Sequence, residues 1–167
     1  MQLEYFRLID RIIALDLAAR TIQVEAIVPT ESTIFEGHFP GHPLMPGVLL
    51  QEAMNQASGW LIIGVTKFTC MPFFAAIKEA KFRSFVTPGM ALTVNATLEH
   101  EGSGYAVTRA EIRAQDDSNK DDRNKGKLIC NAEITFRLVP FPSPHFRESM
   151  EKFAATISFP MELAANG

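Results

Sequence analysis

Residues 46–63 predict one long helix, and they read Pro46-Gly47-Val48-Leu49-Leu50-Gln51-Glu52-Ala53-Met54-Asn55-Gln56-Ala57-Ser58-Gly59-Trp60-Leu61-Ile62-Ile63. Pro46 suits the first helical position, where its missing N–H costs nothing, and no helix breaker follows before Gly59. Apolar residues recur at spacings of three and four, and the opposite side of the helix is also apolar. Because a helix that is apolar nearly all round is a buried one, we expect this segment at the centre of the fold.

The flanking sequence alternates between apolar and polar residues over short runs, which is typical of β-strands. The predicted strands cover residues 7–18, 20–28, 73–87, 91–99, 105–115 and 127–138. The remaining predictions are a loop over 29–46, a hairpin turn at 102–104, a solvated charged loop over 116–126, a short helix over 145–158 and a frayed end. One buried helix among antiparallel strands predicts an α+β fold, with a curved antiparallel sheet around a long central helix.

Composition excludes several classes of protein. The chain has 167 residues, a net charge of −3 and two cysteines, which suits one globular domain and argues against a nucleic-acid binder or a four-thiolate metal site. No secretory signal is visible, and the most apolar stretch is too short to span a bilayer, so we expect a cytoplasmic protein without a membrane partner. The 13 Phe against two Tyr and one Trp indicate apolar volume for a core or a pocket.

The loop before the helix carries a candidate base. His38 lies next to Phe39 in a segment stiffened by prolines, and a rigid loop can hold an imidazole in one place. A surface histidine without a role is the alternative. His38 and His42 cannot share a helical face across Pro40, so we predict no metal site here.

The helix itself carries two further candidates. Glu52 lies on an otherwise apolar helix, where a carboxylate is costly unless it is paired or protonated, and a protonated carboxyl can act as a general acid. Gly47 is at the helix start, where unpartnered N–H groups could hold a carbonyl oxygen that gains charge. The alternatives are a narrow polar stripe through Glu52, Asn55 and Gln56 and an ordinary helix entry at Gly47. Together the candidates suit removal of a proton alpha to a carbonyl with loss of a beta leaving group.

Residues 37–56 match the pattern G-H-F-P-x-x-P-x-x-P-G-V-L-x-x-E-A-x-x-Q at every fixed position, and a second block lies at residues 72–89. In both blocks the chain resembles the 3-hydroxyacyl-[acyl-carrier-protein] dehydratases of type II fatty-acid synthesis. The resemblance covers roughly residues 5–139 and implies a hot-dog fold. The predicted organisation is therefore a hot-dog dehydratase domain over 1–139 and a C-terminal extension over 140–167.

The resemblance also implies how the site works. His38 would take the alpha proton of a 3-hydroxyacyl thioester, and Glu52 of the partner subunit would protonate the departing hydroxyl. The Gly47 N–H would bind the thioester carbonyl, with Gln56 and Phe39 in support. The implied assembly is a homodimer with its sites at the interface, and a trimer of dimers is left open. No metal or organic cofactor is implied, since a thioester already acidifies the alpha position, and the substrate would be carried on the phosphopantetheine of acyl carrier protein.

Two further sets of residues are candidates for binding. Phe73, Phe74 and Met90 are candidates for lining an acyl tunnel, although Phe73, Phe74, Phe82, Phe85 and Met90 are first expected in the core. The basic residues Lys78, Lys81 and Arg83 are candidates for docking the acidic carrier protein, with a solvated face as the alternative. Two other functions stay open: an acyl thioesterase on the same fold with Glu52 as base, and a non-catalytic subunit that binds acyl thioesters.

Overall fold

The computed structural model describes residues 1–115 and 126–165. The strands are β1 (Arg11–Asp16), β2 (Thr21–Ile27), β3 (Met71–Phe82), β4 (Ala91–Gly102), β5 (Tyr105–Ala114) and β6 (Leu128–Val139). The helices are α1 (Thr33–Gly37), α2 (Gly47–Val65), α3 (Pro144–Thr156) and α4 (Met161–Ala165), with one 3-10 turn at Leu3–Tyr5. The charged loop predicted over 116–126 lies outside the described residues, apart from Gly126.

The six strands form one sheet in the order β1-β2-β4-β5-β6-β3, and every neighbouring pair is antiparallel. The predicted alternation is confirmed on β2, where Ile22, Val24 and Ala26 are buried while the residues between them are partly exposed. The predicted turn between β4 and β5 is also confirmed. Ser103 and Gly104 both have positive φ, 53° and 80°, as a two-residue turn that matches strand twist requires.

Helix α2 is the centre of the core, as its apolar surface predicts. Pro46 precedes it as the N-cap, and most of its 19 residues are buried against β2, β3, β4, β5 and β6. Gly59 does not end the helix, which continues to Val65 because the residues beyond it are packed on all sides. The arrangement is the α+β hot-dog architecture expected from the sequence, a curved sheet around one long helix.

The largest error of the sequence prediction concerns β3. The predicted strand over 73–87 instead runs from Met71 to Phe82, and it is an edge strand that pairs only with β6. The phenylalanines of the predicted strand were expected in the core, and within one chain this is wrong. Phe73, Phe74 and Phe82 of β3 are exposed, Phe73 by 58%, and Phe85, which follows β3, is 77% exposed. The physical reason is the position of the strand at the sheet edge, where no element among the described residues covers most of it.

Smaller differences occur near the N-terminus. The predicted loop over 29–46 contains the short helix α1, in which the Ser32 side chain accepts a hydrogen bond from the Ile34 N–H at 3.2 Å and so caps the helix. Glu4 in turn accepts a hydrogen bond from the Ser32 hydroxyl at 2.7 Å. The predicted first strand over 7–18 is reduced to Arg11–Asp16. None of the helices in the described part of the chain is long and apolar enough to cross a membrane.

The C-terminal segment packs onto the core where it was predicted to fray, and residues 166–167 of the predicted frayed end lie outside the described residues. Phe159 lies 5.6 Å from the Trp60 ring and 5.5 Å from the Phe68 ring, centroid to centroid. The Ile12 N–H donates a hydrogen bond to the Ile157 carbonyl at 2.8 Å, which connects this segment to β1. The two helices of residues 140–165 therefore belong to the same hydrophobic core as α2.

Replacing Phe159 with Ala is expected to lower the free energy of unfolding by about 3–5 kcal/mol, because it leaves a cavity between Trp60 and Phe68. Denaturant unfolding at one protein concentration measures the change. Phe146→Ala is the matched control on the same segment, and since Phe146 is exposed it is expected to cost less than about 1 kcal/mol. Equal effects of the two substitutions would contradict the packing of this segment on the core.

Candidate active site

The His38 loop is held by its own backbone. The His38 N–H donates to the Ile34 carbonyl at 3.1 Å, and the His38 carbonyl accepts from the Leu44 N–H at 2.9 Å. Beyond the loop, the Met45 N–H donates to the Val86 carbonyl at 2.8 Å, and the peptide bond between His38 and Phe39 is cis. The loop is thus closed on itself and tied to the segment after β3, so the position of the His38 side chain is well defined.

The hydrogen bond of the His38 ring determines its tautomer. Nδ1 lies 3.0 Å from the Leu44 carbonyl oxygen. Because a carbonyl only accepts, Nδ1 carries the proton, and a neutral ring then has its lone pair on Nε2. The Phe39 ring lies against the imidazole with centroids 4.3 Å apart. His38 is half-buried, so its ring is oriented as a base and still reachable.

His38 and Gly47 meet in one cavity. This space of about 410 Å³, the His38 cavity, is also lined by Phe82, Arg83 and Phe85. Gly47 is the first residue of α2, and a Cβ there would lie 3.5 Å from the Phe82 ring. The N–H groups of the first helical turn have no acceptor within the helix. The cavity therefore brings an imidazole together with backbone N–H groups that could stabilise a developing negative charge.

Glu52 is held by two amides of its own helix. Its Oε2 accepts a hydrogen bond from Asn55 Nδ2 at 3.1 Å, and its Oε1 accepts one from Gln56 Nε2 at 3.0 Å. Gln56 also accepts from the Leu8 N–H at 3.0 Å and donates to the Phe6 carbonyl at 2.7 Å. Gln56 therefore connects the carboxyl group to the N-terminal segment.

Asn55 is a site residue that the sequence reasoning noted only as part of a polar stripe. It is 9% exposed, and its Oδ1 is buried without a hydrogen-bond partner among the described residues. The signal that could have found it is its spacing, because a polar residue three positions after Glu52 lies on the same helical face.

Glu52 lies in a second cavity. This space of about 440 Å³, the Glu52 cavity, is otherwise mainly apolar, with walls that include Trp60, Phe73, Phe74 and Met150. His38 and Gly47 are not among its lining residues. Because residues five apart are rotated by about 140° around a helix, Gly47 and Glu52 face different sides of α2. Within the described residues of one chain, His38 and Gly47 thus line one cavity and Glu52 lines another, so the three candidate residues do not share a cavity.

The other candidates are distributed over these cavities. Phe73 and Phe74 line the Glu52 cavity, whereas Met90 lines neither cavity and its sulfur lies 3.3 Å from the Thr87 N–H. Lys78, Lys81 and Arg83 are exposed, and of these Arg83 reaches the wall of the His38 cavity. Its guanidinium also donates to the Asn131 side chain at 2.5 Å.

Residues 1–120 match the family model described as a FabA-like domain. The chain belongs to the FabA-like family. Among curated relatives, the 3-hydroxyacyl-[acyl-carrier-protein] dehydratase FabZ of Lactobacillus helveticus is 36% identical over 124 residues, which covers 71% of this chain and 76% of the relative. The FabZ of Chlamydia pneumoniae is 35% identical over 140 residues, covering 80% and 83%. The resemblance inferred from the motifs is thereby confirmed.

Solved structures place this FabA-like chain among hot-dog proteins. A hypothetical thioesterase protein with coenzyme A from Streptococcus pneumoniae superposes with a TM-score of 0.59 at 16% identity, covering 80% of this chain and 88% of that one. The PaaI protein of Escherichia coli superposes with a TM-score of 0.57 at 18% identity, covering 77% and 78%. At such identities the likeness confirms the fold alone.

Two further observations concern metal-binding side chains and the buried cysteine. Within residues 1–115 and 126–165, no three His, Cys, Asp or Glu side chains are grouped so as to hold a metal ion. Burial raises the pKa of the Cys130 thiol to about 12, so this group stays protonated and is a poor nucleophile.

Proposed function

We propose that this chain dehydrates a 3-hydroxyacyl thioester carried on acyl carrier protein to a trans-2-enoyl thioester and water, in fatty-acid or related lipid biosynthesis. The observation that carries the proposal is the His38 ring. Its Nδ1 is bound to the Leu44 carbonyl, which leaves Nε2 to accept a proton in the cavity that also contains Gly47. Membership of the FabA-like family supports the same reaction.

The proposed elimination needs one base, one acid and one site for the carbonyl. Nε2 of His38 takes the alpha proton, the electrons of that C–H bond form the double bond, and the bond from the beta carbon to the hydroxyl oxygen breaks. Glu52 donates a proton to the departing hydroxyl, which leaves as water. The Gly47 N–H donates a hydrogen bond to the thioester carbonyl oxygen, which gains negative charge during the reaction. Exchange of protons with water then restores both side chains.

The hydrogen bonds to Glu52 are compatible with this role. A protonated carboxyl keeps acceptor capacity on its oxygens, so Asn55 and Gln56 can hold the group before and after it donates. No metal or organic cofactor enters the proposed steps, because the thioester itself acidifies the alpha position. The phosphopantetheine of the carrier protein delivers the substrate.

We further propose a homodimer in which His38 and Gly47 of one subunit face Glu52 of the partner subunit. Two observations support it. The half-sites lie in separate cavities of one chain, and the edge strand β3 exposes phenylalanines that a second copy would cover. A trimer of dimers and the cytoplasmic location stay predictions.

The proposed reaction is tested with two thioesters of the same chain length, one 3-hydroxylated and one saturated. We expect enoyl absorbance to appear from the 3-hydroxyacyl thioester, without release of free thiol from the saturated one. Free thiol without enoyl product would instead identify a thioesterase. Binding of both thioesters without any turnover would identify a non-catalytic subunit.

Lys78, Lys81 and Arg83 are proposed to dock the acidic carrier protein near the His38 cavity. Lys81→Glu is expected to lower kcat/KM for a carrier-bound substrate by about tenfold relative to the same acyl group on a short thiol, because a reversed charge slows the encounter. Lys67→Glu is the matched control, since Lys67 follows the opposite end of α2. An equal loss of kcat/KM in both variants would count against this docking surface. So would a kcat/KM that depends on salt as strongly in Lys81→Glu as in the wild type.

A further inference from the structure

Helix α3 forms part of the Glu52 cavity although it lies beyond the residues that the family model matches. The match ends at residue 120, and α3 covers Pro144–Thr156. Met150 of α3 lines the Glu52 cavity together with Trp60 and Met71. A segment outside the matched domain thus contributes a wall to the half-site that contains the proposed acid.

The cavity extends along one face of α2. Its lining residues on this helix are Glu52, Asn55, Gln56, Gly59, Trp60 and Ile63, at spacings of one, three and four. From the first to the last of them the helix axis advances by about 16 Å. The face is polar at Glu52 and apolar from Gly59 onward. A ligand with a polar reacting end and an apolar tail therefore matches the cavity.

Helix α3 contacts this face through Met150 and Phe153. Ser143 caps its start by accepting a hydrogen bond from the Phe146 N–H at 3.1 Å. Phe153, one turn after Met150, lies 5.9 Å from the Trp60 ring, and the Arg7 guanidinium lies 5.0 Å from the Phe153 ring. Ala154 is fully buried. These contacts place Met150 beside Trp60 at the wall of the cavity.

We propose that Met150 limits the length of the acyl chain that the Glu52 cavity accepts, with Trp60 beside it. The inference rests on the proposed function, because it assumes that the apolar tail of the thioester lies along α2 beyond Glu52. Truncating Met150 adds volume next to the tail, and enlarging it removes volume. An apolar pocket discriminates by about 10- to 200-fold between substrates that differ by one methylene, so this single side chain can shift the preferred length of the acyl chain.

The first test compares 3-hydroxyacyl thioesters of increasing chain length. Met150→Ala is expected to raise the ratio of kcat/KM for long over short substrates by at least about tenfold, and Met150→Phe to lower it. Met161→Ala is the matched control, because Met161 packs on the core but is not among the residues lining the Glu52 cavity. Ratios that do not differ between wild type and the two Met150 variants would overturn the proposal.

A second test does not depend on turnover. Trp60 is the single tryptophan of the chain and lines the cavity, so its fluorescence reports on the apolar tail. Saturated acyl thioesters of increasing length serve as non-reacting probes. The length at which binding stops tightening is expected to rise in Met150→Ala and to fall in Met150→Phe. Identical profiles would overturn the chain-length role even in an active enzyme, whereas shifted profiles in a protein without dehydration would contradict only the proposed reaction.

Discussion

Replacing His38 with Ala is expected to lower kcat/KM for the 3-hydroxyacyl thioester by about 10²- to 10⁴-fold, the usual contribution of a positioned acid or base. The ring is oriented for this role by its Nδ1 contact with the Leu44 carbonyl at 3.0 Å. Removing the imidazole leaves the alpha proton without an acceptor, so the loss should fall on kcat more than on KM. Measuring the rise of enoyl absorbance at saturating and at limiting substrate concentrations separates the effect on kcat from the effect on KM.

His42→Ala is the matched control for this substitution. His42 lies on the same loop, but its side chain is exposed and is not among the residues lining the His38 cavity. We expect it to retain the wild-type rate, and thermal unfolding of both variants shows whether the loop is intact. A His38→Ala protein that folds normally and turns over at the wild-type rate would exclude the proposed mechanism.

Combining two inactive chains is expected to restore activity. Glu52→Gln keeps the shape of the side chain but removes its acidic proton, so this variant alone should be as impaired as His38→Ala. In a dimer of one chain of each variant, one site has lost both groups, and the other has His38 and Glu52 intact. A purified mixed dimer should therefore regain about half of the wild-type rate, because one of its two equivalent sites is complete.

The reciprocal combination is the control. Here a chain with both substitutions pairs with a wild-type chain, so each shared site lacks one group and the dimer should be nearly inactive. If each site lay within one chain, this combination would instead be half-active and the first one inactive. Two affinity tags and sequential purification isolate each mixed dimer. Failure to obtain any mixed dimer from co-expressed wild-type chains would overturn the proposed homodimer.

Much of the fold was predictable because it depends on local periodicity. Helix α2 was located from apolar residues at spacings of three and four, and β2, β4, β5 and β6 from alternation. The predicted bounds of these elements differ from the observed ones by only a few residues, because the periodicity of each segment shows which of its sides is buried. The motif around His38 also made the family recognisable before any geometry was known.

The prediction failed where burial depends on elements distant in the chain. Phe73 and Phe74 have the apolar character of core residues, but their exposure follows from the position of β3 at the sheet edge. Met90 was a candidate for the tunnel on its character alone, and it lines neither cavity. Met150 was assigned no place in the site, because nothing in the local sequence shows that α3 contacts α2.

The sequence by itself determined the elements and the candidate groups that each one carries: an imidazole on a loop rich in proline, backbone N–H groups at a helix start and a carboxyl on a buried helix. Only the tertiary structure decided how they are grouped. It placed His38 with Gly47 in one cavity and Glu52 with Met150 in another. The physical reason is that periodicity and turn chemistry act over a few residues, whereas the walls of a cavity come from contacts between segments that are far apart in the chain.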